Sequence, residues 1–209
     1  LRRQRQMCIR DRPHLAYNPS AHLAIVDIVL GVADILPIRG FGYLVPRNAT
    51  NNSDEILGVI FDSDAVPNQS QRLTKLTVMM GGPYWRHRSS FPNEDDVKER
   101  ALRALHSQLG LSLLTLTSHL ENIYARVMTD TIPQYLVGHP QRMAELKAAI
   151  KMHPQWRNRL SLLGYSYGGV GVNDCIANAM DTCDAICNYE QNRSPLSDIS
   201  GLQPALFPG

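Results

Sequence analysis

The sequence predicts a mixed α/β (α+β) fold, and three observations carry that expectation. The first third holds short apolar runs separated by glycine, proline and asparagine, the punctuation of strands and hairpin-like loops. Beyond residue 90 the apolar residues switch to helical spacing behind recognisable helix starts. With 44% hydrophobic and 19% charged residues among 209, the chain can bury a sizeable core, which excludes a disordered or disulfide-scaffold class.

Leu23 to Val32 reads as the first strand, interrupted by Asp27 and Gly31, and Leu36-Pro37 ends it. Gly40 to Pro46 is a second short strand, followed by an asparagine-rich loop from Arg47 to Glu55. Ile56 to Phe61 and Leu76 to Met80 are two more, the latter stopping at Gly81-Gly82-Pro83. Asn93 then offers a side-chain cap, with Glu94, Asp95 and Asp96 set against the positive end of a helix dipole. Val97, Ala101, Ala104, Leu105 and Leu109 share one face of that helix, and Gly110 can close it in the left-handed conformation. A strand over Asn122 to Met128 follows. A helix from Pro140 toward Lys151 comes next, begun where a missing amide hydrogen costs nothing. Leu160 to Leu163 reads as a short buried strand, Gly164 to Val172 as a turn, and Asn173 onward as a helix with Ile176, Ala177, Met180, Cys183 and Cys187 facing inward.

Charge and cysteine usage narrow the class further. The net +2 is concentrated in Leu1 to Arg12, where Arg2, Arg3, Arg5, Arg10 and Arg12 stand against Asp11 alone, so the remainder is slightly acidic. That string fits a nucleic-acid arm or an arginine-rich transit segment, but it resembles read-through of a sequencing adapter more closely, so residues 1–12 are expected to be a non-native leader. No nucleic-acid partner is expected. No run reaches the roughly 18 to 20 uninterrupted apolar residues of a spanning helix. Cys8, Cys175, Cys183 and Cys187 form no CxxC pair, so free thiols and no metal site are expected.

Chemistry concentrates at Gly164-Tyr-Ser-Tyr-Gly-Gly-Val-Gly-Val-Asn-Asp174, between an apolar run and a helix. Its glycines let a backbone approach a ligand closely, and a helix start favours an anion or the N1/C2 carbonyl edge of a reduced flavin. A turn built only for tight packing explains the same spacing. Gly164-x-Ser166-x-Gly168 also matches a hydrolase nucleophile elbow, but every histidine precedes Ser166, so a triad in the usual chain order cannot be completed.

The blocks GFGYLVPR at 40–47, ILGVIFDSDAVPNQ at 56–69, LTVMMGG at 76–82, IPQYLVGH at 132–139 and LLGYSYGGVGVNDCI at 162–176 resemble, in order and spacing, the C-terminal portion of the eukaryotic protoporphyrinogen oxidase family. The resemblance implies part of a p-hydroxybenzoate-hydroxylase-like or amine-oxidase-like FAD fold. It places a substrate-domain sheet and helix at 13–126, the C-terminal return to the FAD domain at 127–190 and a tail at 191–209. The implied activity is oxidation of protoporphyrinogen IX by molecular oxygen in haem biosynthesis, by a homodimer at the mitochondrial inner membrane. Carried onto this sequence, Val170, Gly171, Val172, Asn173 and Val127 lie against FAD, while Gly42, Leu44, Ile60 and Met79 line the porphyrinogen pocket. The family's GxGxxG and its membrane-contacting helices have no counterpart in these residues. A chain of this extent is therefore expected to be inactive alone, and a non-catalytic truncated remnant is the alternative reading beside the hydrolase at Ser166.

Overall fold

A computed structural model of the chain describes residues 14–192 apart from 16, 67–71 and 158; the leader, Cys8 and the tail beyond 192 lie outside the described residues. The chain divides into two compact units, Pro19–Gln134 and the pair of segments Leu1–Asn18 and Tyr135–Gly209.

The first unit is built on a five-stranded antiparallel sheet: β1 Ser20–Leu30, β2 Gly42–Leu44, β3 Ile56–Ile60, β4 Thr74–Gly81 and β5 Leu120–Pro133, in the spatial order β2-β3-β4-β1-β5. Alternate residues of each strand point to opposite faces, and here the two faces differ in kind. Ala24, Val26, Ile28, Leu30, Leu76, Val78, Met80, Val59 and Ala125 are buried in one core. Helix α2, Glu94–Leu109, covers that face with Val97, Ala101, Ala104 and Leu105, all fully buried. Its start is a capping box: the Asp96 amide donates to Asn93 Oδ1 at 2.9 Å, and the Asn93 amide donates to Asp96 Oδ2 at 3.3 Å. Gly110 ends it at φ +71°, with its amide bonded to His106 O. Trp85 fills the end of the core, its indole N–H donating to the Glu55 carboxylate at 2.9 Å, which Arg100 also reaches at 3.0 Å.

Three short helical pieces are not visible in the apolar pattern: α1 Asp62–Ala65, the 3-10 turn Gly82–Trp85 and α3 Leu113–Ser118. Each is too brief to repeat a helical period, and of the three α3 alone has a side-chain cap, the Thr115 amide donating to Ser112 Oγ at 3.0 Å.

In the second unit, α4 His139–Met152 carries Pro140 in its first turn and buries Met143, Leu146 and Ile150 against Leu15, Tyr17, Trp156, Leu160, Leu162 and Tyr167. The expected strand at Leu160–Leu163 is absent. Leu160 and Leu162 supply side chains to that cluster while Leu163 is exposed, but no neighbouring strand pairs with their backbone among the described residues, and a strand exists only with a partner ladder. Helix α5, Val172–Asn192, begins where expected, yet its apolar stripe does not face inward: Ile176 is 53% and Met180 63% exposed, and Cys183 and Cys187 are exposed too. Helical spacing fixes which residues share a stripe; whether a neighbour covers it is a property of the assembly around the helix.

Candidate functional site

Directly opposed residues in antiparallel strands share a face of the sheet. Opposite the helix-covered core, the register lays out two adjacent cross-strand rows. One runs Gly42, Ile60, Thr77, Asp27, Tyr124; the other runs Leu44, Gly58, Met79, Ile25, Arg126. Gly42, Leu44, Ile60 and Met79, chosen from sequence blocks far apart in the chain, therefore fall together on one open face. Ile60 and Met79 are half-buried and Leu44 is 80% exposed, so the wall is apolar without being sealed. Gly42 is required by the close approach of β3: at φ +139°, a Cβ there would lie 2.1 Å from Val59 O.

Polar groups border this wall that the sequence blocks did not single out. The Thr77 hydroxyl lies 2.9 Å from Asp27 Oδ1 and 2.8 Å from Asp62 Oδ2. Arg126 closes the second row, its guanidinium pKa raised by a hydrogen bond to Tyr124 and by the charge of the Tyr124 and Glu94 side chains. The period-two pattern of β1 and β5 could have found them once the register was known. Tyr43, between Gly42 and Leu44, points the other way into the core, donates its hydroxyl to Gln108 at 2.8 Å and has its pKa pushed up to about 12 by burial. Val127 also faces the core side, opposite Ala24 and packed against the buried cluster, so its side chain is not on the wall.

Val170, Gly171, Val172 and Asn173 form the end of the glycine turn and the start of α5 in the second unit, and all are surface residues. Gly169 takes φ +135°, where a Cβ would come within 2.5 Å of the Asp174 side chain. The Gly171 amide donates to the Asp174 carboxylate at 3.2 Å, and the Gly171 carbonyl accepts from the Cys175 amide at 3.0 Å. The amides of Val170, Val172 and Asn173 have no protein acceptor among the described residues. Amides without a protein acceptor at the positive end of a 21-residue helix suit an electron-rich carbonyl or anionic edge, so the donor set fits the flavin expected there.

Ser166 does not sit on a nucleophile elbow. Helix α5 starts only at Val172, Ser166 lies in the turn with its carbonyl bonded to Asn18 Nδ2 at 2.9 Å, and the nearby His139 directs Nε2 to the Tyr167 carbonyl at 3.2 Å. No cluster of metal-ligating side chains occurs among the described residues, and no helix there is long and apolar enough to cross a membrane.

The chain is 35% identical to Schizosaccharomyces pombe protoporphyrinogen oxidase over 85% of its own length and 35% of that protein's. It is 33% identical to the human protoporphyrinogen oxidase over 75% of its length and 32% of the human protein's. The chain is homologous to the protoporphyrinogen oxidases. It spans about a third of the length of these protoporphyrinogen oxidases. A crystal structure from Exiguobacterium sp. 255-15, provisionally assigned as a protoporphyrinogen oxidase, superposes with a TM-score of 0.67 at 23% identity, covering 88% of this chain and 39% of that one. That likeness shows that the mixed α/β architecture with its antiparallel sheet shares the fold of the matched part of that structure. No protein-family model matches the sequence.

Proposed function

We propose that this chain supplies part of the site of an FAD-dependent oxidoreductase that converts protoporphyrinogen IX to protoporphyrin IX with molecular oxygen, in haem biosynthesis. The observation that carries the reading is the coincidence of Gly42, Leu44, Ile60 and Met79 on two adjacent rows of one open sheet face. A flat tetrapyrrole is held mainly by burial, and an apolar wall with a glycine at its edge can accept such a ring closely. In this reading the wall binds and orients the substrate, and holding its reacting carbon in register is the chain's main catalytic contribution. When bound, FAD supplies the hydride-accepting chemistry, so no acid, base or metal of the wall is assigned a chemical step.

Val170, Gly171, Val172 and Asn173 are the residues that would lie against the flavin, with the unbonded amides of Val170, Val172 and Asn173 toward its electron-rich edge. Val127 would border FAD through its backbone, since its side chain is committed to the core. The sheet unit corresponds in this proposal to the substrate domain, and the second unit to the return into the FAD domain. Family resemblance further supports a homodimer at the mitochondrial inner membrane, with peripheral membrane contact made by a region this sequence does not contain.

The wall and the glycine turn are tested separately. Titrating the chain with protoporphyrin IX, the stable product, should shift the porphyrin Soret band, and Leu44→Asp and Met79→Asp should weaken that binding at least about tenfold, the effect of placing a carboxylate against an apolar ring. Replacing Gly171 by leucine should abolish FAD binding by pushing the backbone off the ring. Unchanged porphyrin binding in both wall variants would refute the pocket assignment.

A further inference from the structure

Five consecutive carbonyls of the glycine turn accept hydrogen bonds from five side chains. Tyr165 O accepts from Tyr135 Oη at 2.5 Å, Ser166 O from Asn18 Nδ2 at 2.9 Å, Tyr167 O from His139 Nε2 at 3.2 Å, Gly168 O from Asn178 Nδ2 at 2.9 Å and Gly169 O from Cys175 Sγ at 3.7 Å. The turn is at the surface, with Tyr165 and Val170 about half exposed, so water could satisfy most of these oxygens. Committing five side chains to them instead fixes the direction of every peptide plane in the stretch.

Tyr135 has a special place in this arrangement. Its hydroxyl donates to Tyr165 O and also accepts from the Gly169 amide at 2.8 Å, so one oxygen ties together both ends of the five-residue stretch. Gly169 is the residue at φ +135°, where only glycine is comfortable and where the turn has most freedom to relax. The Tyr135 ring is itself held, stacked on His139 at 3.8 Å with 6° between the planes. His139 is fixed in turn: a carbonyl only accepts, so Nε2 carries the hydrogen toward Tyr167 O, and Nδ1 is left to accept from the Tyr17 hydroxyl.

With these carbonyls held by side chains, the amides of Val170, Val172 and Asn173 that follow are left without a protein acceptor among the described residues. We infer that Tyr135 is a positioning residue for the flavin-facing amides, acting through Gly169, with His139 holding its ring in place. The inference rests on the reading that this turn faces flavin. The physical gain is preorganisation: donors held in place before the ligand arrives lose little freedom on binding and need no rearrangement as charge develops.

The experiment titrates FAD into the 209-residue chain, following flavin fluorescence, for wild type and Tyr135→Phe, which keeps the ring stack and removes only the hydroxyl. Amide hydrogen exchange at Gly169 is measured without FAD, and thermal unfolding reports integrity. The expected result is faster exchange at Gly169, FAD binding about tenfold weaker, as for the loss of one or two hydrogen bonds, and a shifted visible absorption band of the bound flavin, at a nearly unchanged unfolding midpoint. Equal FAD affinity and an identical band in the two proteins would overturn the positioning role while leaving the flavin site in place. Failure of the wild-type chain to quench flavin fluorescence would remove the flavin reading and this inference with it. If Tyr135→Phe unfolds, Asn178→Ala, which frees Gly168 O and the Asp174 carbonyl, decides by the same criteria.

Discussion

Gly42 lies directly opposite Ile60 across the β2–β3 ladder, close enough that a Cβ on Gly42 would overlap the neighbouring Val59 carbonyl at 2.1 Å. A side chain cannot be added without moving one strand, and φ +139° is itself strained for any other residue. Gly42→Ala should therefore destabilise the sheet unit by about 2 to 4 kcal/mol, read as a lower urea midpoint with an unchanged m-value. An unaltered midpoint would show that β2 can detach at no cost.

Leu44 presents the contrasting case, since it stands 80% exposed on the same face. Leu44→Ser should change stability by no more than about 0.5 kcal/mol and yet weaken porphyrin binding. Loss of stability without loss of binding would assign Leu44 to packing.

Tyr43 sits between them and points into the core, where burial raises its pKa to about 12. The unfolded chain releases this proton near the ordinary tyrosine value of about 10. The contribution is thus fully present below pH 10, and stability falls as pH rises from there through 12. Unfolding midpoints measured across that window should decline, and Tyr43→Phe should flatten the decline.

Glu55 accepts from Trp85 Nε1 and from Arg100 and also pairs with Arg88, so its carboxylate gathers an indole N–H and two guanidinium groups beside the core. Glu55→Ala should cost about 3 kcal/mol by leaving the fully buried tryptophan without its acceptor. Tryptophan fluorescence during chemical unfolding would report both the midpoint and the change around the indole. A loss below about 0.5 kcal/mol would mean that these pairs behave as ordinary surface pairs.

Asn93 and Gly110 made α2 legible because caps act within a few residues of the helix they bound. The strands were legible for the same local reason, their apolar runs and breakers being contiguous in sequence. Leu160–Leu163 misled because an apolar run looks alike whether it joins a ladder or simply feeds a cluster, and the difference lies in a backbone partner that sequence does not reveal. The stripe of Ile176 and Met180 misled in the same way, since periodicity identifies an apolar face and leaves its covering undetermined. Family resemblance pointed to Gly42, Leu44, Ile60 and Met79, but left Thr77, Asp27, Tyr124 and Arg126 beside them unnoticed.

By itself the sequence determined the mixed α/β class, the limits of α2, the glycine turn before α5 and the family to which the chain is related. Tertiary structure alone decided that four distant apolar positions share one face, because that depends on strand order and register, which are set by pairing across the sheet. It alone also decided that Tyr135 reaches both Tyr165 O and the Gly169 amide. Those bonds join residues about thirty positions apart, and only packing of the intervening chain brings such groups within hydrogen-bonding distance.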